Sequence, residues 1–329
     1  MKLGSLKLGG RDGTLIVVSR DLQQAVQATG IAPTLQRALE DWSNVAPRLN
    51  ALSDALNEGS ADGAFPLDVL QLAAPLPRAY EFVDGSAYLP HVARVRRARG
   101  AEVPESFYTD PLMYQATSAG FLGPRDPVRV TDESQGIDLE AEIVVITDDV
   151  PMAVTPEQAG SHIQLIGLVN DVSLRNLIPG ELAKGFGFLQ SKPRSALSPV
   201  FVTPDELGDA WKGNKVHRPL LTHVNNAWFG APEAGVDMQF DFGQLVAHAA
   251  RTRPLVAGTI VGSGTIANED TSLGASCFAE KRTVEALEHG APQTPFMQFG
   301  DQVRIEMFDA AGNTIFGAIE QRIERQPIP

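Results

Sequence analysis

Glu140 and Glu142, separated by one residue, sit in a run over 136–146 that reads as a β-strand. The run is rich in β-branched and apolar residues and has no Gly or Pro after its first residue. Alternation along a strand places Glu140 and Glu142 on one face and Leu139, Ala141 and Ile143 on the other. Residues 143–146 are apolar on both faces, as in a buried strand. Two carboxylates side by side at the buried end of a strand repel each other and are costly to desolvate. A hard divalent cation, Mg²⁺ or Ca²⁺, is the simplest group to offset that cost. The alternative is a sheet edge where both carboxylates meet water.

Other residues have two readings. Asp171 ends the apolar run 165–170 and is either a third oxygen ligand or a strand-terminating turn residue. Arg175 fits a salt bridge, and Lys192 a solvated loop. His91 precedes Arg94, Arg96, Arg97 and Arg99, a basic run that most simply means a solvated helix face. His162, His217, His223, His248 and His289 carry no usable spacing. Residues 262–267 match the loose G-x-G-x-x-A of nucleotide folds. Residues 268–272 do not continue as the apolar-faced helix that motif needs. What remains is a tight turn whose backbone N–H groups suit a carboxylate. No His-Glu-x-x-His, Gly-x-Ser-x-Gly or P-loop occurs.

The elements positioning these residues are mostly strands. A hairpin is expected over 1–18, turning at 9–13. Leu35, Leu39 and Trp42, then Leu49, Leu52 and Leu56, keep helical spacing. Pro47 suits a first helical position and Gly59 a stop. Thr155, Pro156 and Gln158 form a capping box. Strands are expected at 165–171, 198–202, 256–260, 303–307 and 314–323, and a helix over 241–252. Many strands and few helices indicate a mixed, β-rich α+β fold. The chain divides near 75 into an N-terminal α/β unit, 1–75, and a larger unit, 76–329.

The 329 residues are 43% hydrophobic, enough for a large core. A net charge of −13 disfavours a nucleic-acid binder and suits an enzyme that concentrates positive charge in one pocket. Cys277 is the only cysteine, so no intrachain disulfide forms. No secretory h-region and no run approaching a membrane span of about 20 residues is present, so a cytoplasmic protein without a membrane partner is expected.

The order of these pieces resembles the fumarylacetoacetate hydrolase family. The matching pieces are Leu139-Glu140-Ala141-Glu142, Asn170-Asp171-Val172-Ser173-Leu174-Arg175, Ser191-Lys192, Gly262-Ser263-Gly264-Thr265 and Ala279-Glu280. The resemblance covers roughly 80–325. It implies a β-roll catalytic domain, a homodimer and a Mg²⁺ or Ca²⁺ ion. It also implies hydrolysis of a carbon–carbon bond in a 1,3-dicarbonyl keto acid, as in aromatic amino-acid catabolism. It makes Glu140, Glu142 and Asp171 metal ligands. Asp84 and His91 keep the family's seven-residue interval between a fourth ligand and the catalytic histidine. Glu280 is then the histidine's partner, with Arg175 and Lys192 catalytic cations and Gly264 and Thr265 substrate-binding. A competing placement through Asp110 puts Gln115, which cannot act as a base, at the histidine position. Two departures stand out. Arg94 replaces a glutamate found three residues after the histidine in members with a mobile lid, and Ile178 replaces a substrate-binding glutamine. The family also performs decarboxylation, hydration and isomerisation on the same metal site.

Overall fold

The computed structural model describes residues 1–97 and 102–327; Arg99 lies outside them. Its centre is a twelve-stranded sheet. In chain order the strands used below are β1 (Lys2–Leu6), β2 (Thr14–Val18), β3 (Phe82–Gly85), β4 (Met113–Gln115), β5 (Ala141–Thr147), β6 (Ile163–Asn170), β7 (Phe201–Val202) and β8 (Ile260–Gly262). Across the sheet they run β2-β1-β7-β6-β5-β8-β3-β4. A second, five-stranded sheet includes the late strands Gln302–Met307 and Ile319–Arg325.

The expected N-terminal hairpin is present, with Leu3 opposite Val17. Its first strand also pairs with β7 through Lys2 and Val202, so the N-terminal unit extends the central sheet. Helices α1 (Leu35–Leu39) and α2 (Trp42–Asn57) follow. Pro47 lies inside α2, not at its first position, because the helix starts five residues earlier. Gly59, at φ +75°, stands just beyond the C-cap Glu58.

Alternation along β5 feeds two cores. Val144 and Ile146 pack with Leu35, Leu39, Leu49 and Leu56 of the N-terminal helices. Ile143 and Val145 pack into the other, larger cluster. Each fully buried leucine stabilises that cover by roughly 1.5–3 kcal/mol. The run expected as one strand over 136–146 is instead two, Ile137–Asp138 and β5, broken at Leu139 and Glu140. The strand expected at 256–260 begins only at Ile260, and the last strand only at Ile319.

The remaining helices are α3 (Leu89–Arg97), α4 (Pro156–Ala159), α5 (Ile178–Leu182), α6 (Phe242–Ala249) and α7 (Phe278–His289). Capping boxes start α4 at Thr155 and α6 at Asp241. No described helix is long and apolar enough to cross a membrane.

Candidate active site

Asp84, Glu142 and Asp171 meet at one end of the central sheet, with ligand-capable oxygens all within 4.8 Å of one another. Three strand pairings bring them there. Gly262 of β8 lies beside Asp84 in parallel register, Tyr114 of β4 is paired with Asp84, and Glu142 is paired with Val169 two residues before Asp171. All three carboxylates are buried. A Cβ at Gly262 would fall 2.1 Å from Asp84 Oδ1, so only glycine leaves room for that carboxylate. The Gly264 N–H donates to the same Oδ1 at 3.1 Å. Gly264 has φ +75°, where glycine is the default residue. This backbone N–H, expected to hold a substrate carboxylate, therefore serves Asp84. The Thr265 hydroxyl lies 3.5 Å from Glu142 Oε1.

Electrostatics divide the cluster. Burial, reinforced by the charge of Asp171, pushes the Asp84 carboxyl up to about 8. Burial and the charges of Asp84 and Asp171 push Glu142 well above the usual carboxylate range. Glu142 Oε2 is buried with no hydrogen-bond partner. A set of buried oxygen donors, one of them orphaned, fits a hard divalent cation.

Glu140 lies next to this group but is held differently. Its Oε1 accepts from Arg175 Nη2 at 2.5 Å, and its Oε2 from Ser173 Oγ at 3.1 Å and from Lys192 Nζ. Burial alone would raise its pKa, but Arg175 and Lys192 hold it below the usual range. Lys192 Nζ also donates to Asp171 Oδ2 at 2.6 Å. Burial would lower the lysine's pKa, yet Asp171 and Glu140 raise it above the ordinary value. Arg175 Nε donates to Asp138 Oδ2 at 2.8 Å. Neither Lys192 nor Arg175 is therefore a solvated surface cation.

Several positioning residues were not foreseen. Asp138, wholly buried, accepts from the N–H groups of Phe278 at 2.6 Å and Ala279 at 2.8 Å, anchoring the start of α7. Tyr114 donates to Asp171 Oδ2 at 2.5 Å and Ser195 to Oδ1 at 2.6 Å. Glu181 accepts from Leu189, Gln190 and Ser191 N–H groups, fixing the loop that presents Lys192. The Asn170 side chain accepts from the Glu140 N–H at 3.2 Å, which gives the Asn-Asp pair a structural reason.

His91 is on α3, and its Nδ1 is 3.2 Å from Glu280 Oε2 on α7. Arg94, one turn on, donates to Glu280 Oε1 at 2.5 Å and to the carbonyls of Asn268 and Glu269. Arg94 is buried, so this part of the basic run is a docked face, not a solvated one. Asp110 instead pairs at the surface with Arg251, and Gln115 with Glu81, away from the carboxylate group. His91 and Arg175 line one cavity of about 470 Å³, together with Ile178, Phe188, Arg282 and Phe296.

The molecule thus presents His91, paired with Glu280, and Arg175 on one cavity, and Glu140 links Arg175 through Lys192 to the acidic group at Asp171. The chain is 26% identical over 231 residues to 2,4-didehydro-3-deoxy-L-rhamnonate hydrolase of Sphingomonas sp. (strain SKA58), covering 69% of this chain and 76% of that one. It is 26% identical over 145 residues to the mitochondrial oxaloacetate tautomerase of Xenopus laevis, covering 43% and 42%. Among solved structures it superposes on the fumarylacetoacetate hydrolase of Exiguobacterium antarcticum with TM-score 0.68 at 19% identity, covering 99% of this chain and 100% of that one. The maleylpyruvate hydrolase of Sphingobium sp. SYK-6, in complex with manganese (II) and pyruvate, gives TM-score 0.65 at 16% identity, covering 99% and 100%. The family model for a fumarylacetoacetase N-terminal domain matches residues 1–78. The model for the fumarylacetoacetate hydrolase C-terminal domain matches 81–324, and since that span holds the carboxylate group, both cations and the His91–Glu280 pair, the chain belongs to the fumarylacetoacetate hydrolase family.

Proposed function

We propose that this protein is a metal-dependent hydrolase that cleaves the carbon–carbon bond of a 1,3-dicarbonyl acid, fumarylacetoacetate or a related acylpyruvate. The observation that carries this reading is the His91–Glu280 pair opening on the cavity that Arg175 also lines. A divalent cation, Mg²⁺ or Ca²⁺, would be held by Asp84, Glu142 and Asp171, with Glu140, which Arg175 and Lys192 also engage, completing the ligand set. When bound, it would polarise the dicarbonyl oxygens. The manganese and pyruvate complex of the Sphingobium relative supports that assignment.

The residues supply the rest. With Nδ1–H donated to Glu280, His91 Nε2 carries the lone pair and takes a proton from water. Glu280 fixes that tautomer and stabilises the imidazolium. Water oxygen adds to the acyl carbon, the bond to the methylene carbon breaks, and the proton returns to that carbon. A carboxylic acid leaves with a keto acid, pyruvate from an acylpyruvate and acetoacetate from fumarylacetoacetate. Lys192 and Arg175 place positive charge beside the oxygen that becomes negative. Thr265 offers a hydroxyl to the substrate. The homodimer and cytoplasmic location implied by the resemblance belong to this reading; light scattering giving a monomer mass at micromolar concentration would remove the dimer.

A keto-acid tautomerase, isomerase, hydratase or decarboxylase on the same site is the second reading, favoured by the tautomerase relative. Incubation with acylpyruvates, fumarylacetoacetate and oxaloacetate, with and without EDTA, separates them. EDTA-sensitive release of pyruvate from an acylpyruvate, or of acetoacetate from fumarylacetoacetate, supports hydrolysis; enol–keto conversion of oxaloacetate, or its loss of carbon dioxide to pyruvate, with no cleavage of any acylpyruvate or of fumarylacetoacetate, supports the second reading.

A further inference from the structure

Helix α7 presents Ala279, Arg282, Thr283 and Ala286 to the cavity that holds His91. These positions repeat at i, i+3, i+4 and i+7, so they form one helix face. Three are small and make that face shallow. Arg282 is its only charge, and it stands about 4–5 Å along the axis from Ala279 at 1.5 Å per residue. Ala279 marks the inner end, because its N–H is bonded to Asp138, the partner of Arg175.

Arg282 is anchored but not neutralised. Its guanidinium lies over the Phe296 ring, 4.3 Å from the centroid, and Nη1 donates to the Thr294 carbonyl. Glu285, one turn on, is occupied by the Gln293 and Thr294 N–H groups. Among the described residues no carboxylate forms an ion pair with Arg282. Arg175 on the same cavity is paired twice, with Asp138 and Glu140. Ile178, Leu182, Phe188 and Phe296 make much of the remaining wall apolar. A guanidinium held flat, with Nε and Nη2 available and no protein anion, is a receptor for a planar carboxylate.

We infer that Arg282 binds a carboxylate at the end of the substrate distal to the cleaved bond. The substrate class is then a dicarboxylic 1,3-dicarbonyl acid, not one with an alkyl terminus. This inference rests on the dicarbonyl-acid reading above and assigns Arg282 to the distal carboxylate, which fumarylacetoacetate carries and an alkyl acylpyruvate lacks.

The test uses Mg²⁺-loaded protein and two acylpyruvates of equal chain length, succinylpyruvate and butanoylpyruvate, which differ by the terminal carboxylate. Wild type should favour succinylpyruvate in kcat/KM by about 10–100-fold, the range a charged hydrogen bond carries. Arg282→Gln should bring that ratio to near one, mainly through KM, and Arg282→Lys should leave an intermediate ratio. A ratio near one in wild type, or one unchanged by Arg282→Gln, overturns the inference. If neither compound is cleaved, the hydrolase reading fails, and binding decides the carboxylate site separately. α-Ketoadipate should then bind wild type more tightly than α-ketocaproate by a similar factor, and Arg282→Gln should erase the difference; equal binding to wild type overturns the inference.

Discussion

The polar centre has two halves that solve the same burial problem in opposite ways. On one side Asp138 and Glu140 lie against Arg175 and Lys192, and every carboxylate oxygen of Glu140 has a donor. On the other side Asp84 and Glu142 face each other and Asp171, and Glu142 Oε2 has no partner. Burial is alike, so the difference lies in the counter-charge. The first half is a finished ion-pair network that positions α7 and the cationic loop. The second half has three carboxylates and only a share in Lys192, through Asp171, so it is short of positive charge, as a site for an exchangeable cation must be.

The largest expected effect comes from breaking the acidic half. Glu142→Gln removes one charge with little change in volume, so folding should survive while turnover falls to the level of EDTA-treated wild type. Steady-state assays beside circular dichroism check this; full turnover in a metal-free preparation would contradict it.

Next in size is the pair facing the cavity. His91→Ala should lower turnover by about 10²–10⁴-fold and leave metal binding intact. Glu280→Gln should cost less. The double variant should lose much less than the product of the two, because the residues act as a unit. Near-normal turnover of His91→Ala, with loss in Gln115→Ala or Asp110→Asn, would move the base elsewhere.

Breaking the neutralised half should cost stability. Asp138→Asn leaves Arg175 short of a buried partner and should destabilise by about 3–5 kcal/mol in urea unfolding. A change within experimental error would show that Glu140 alone satisfies Arg175.

Much of this division was legible in the sequence, and the reasons for the misses are local. Glu142 and Asp171 stood out because strand alternation and a strand end put carboxylates where carboxylates are costly. Thr155 announced its helix through a side chain that caps, whereas the cap at Asp241 is seen only in the structure. Helix α7 gave no such signal, since its N-cap is Cys277, whose Sγ accepts from the Glu280 N–H in place of a hydroxyl or carboxylate. Asp138 was absorbed into an apparent continuous strand, although the chain breaks just after it to aim Glu140 at Arg175. Tyr114 reaches Asp171 only through pairing of β3 with β4, a long-range register that no local pattern encodes. Arg94 looked like a deficit where a glutamate might stand, yet it grips Glu280 from the opposite side.

The smallest expected effect is on pH. Asp84 is raised to about 8 by burial and by Asp171, so near pH 7 the metal-free protein keeps a proton there. Cation uptake should release it together with any proton held on Glu142, and apparent affinity should rise with pH through about 8. For metal-free stability the sign runs the other way. The native state holds a proton that the unfolded chain gives up near 3.8, so this contribution is complete below that pH and is lost as pH climbs through about 8. Calorimetry in buffers of different ionisation enthalpy reads the released proton; identical heats in all of them would contradict the assignment.

The central claim is that the acidic half takes a cation which the protein's own charges do not replace. Isothermal titration of metal-free protein with Mg²⁺ tests it most directly. The account predicts saturable uptake of one ion per chain in wild type, and no detectable uptake in Glu142→Gln at the same concentrations. No uptake by wild type of either Mg²⁺ or Ca²⁺, or equal affinity in wild type and Glu142→Gln, would contradict it.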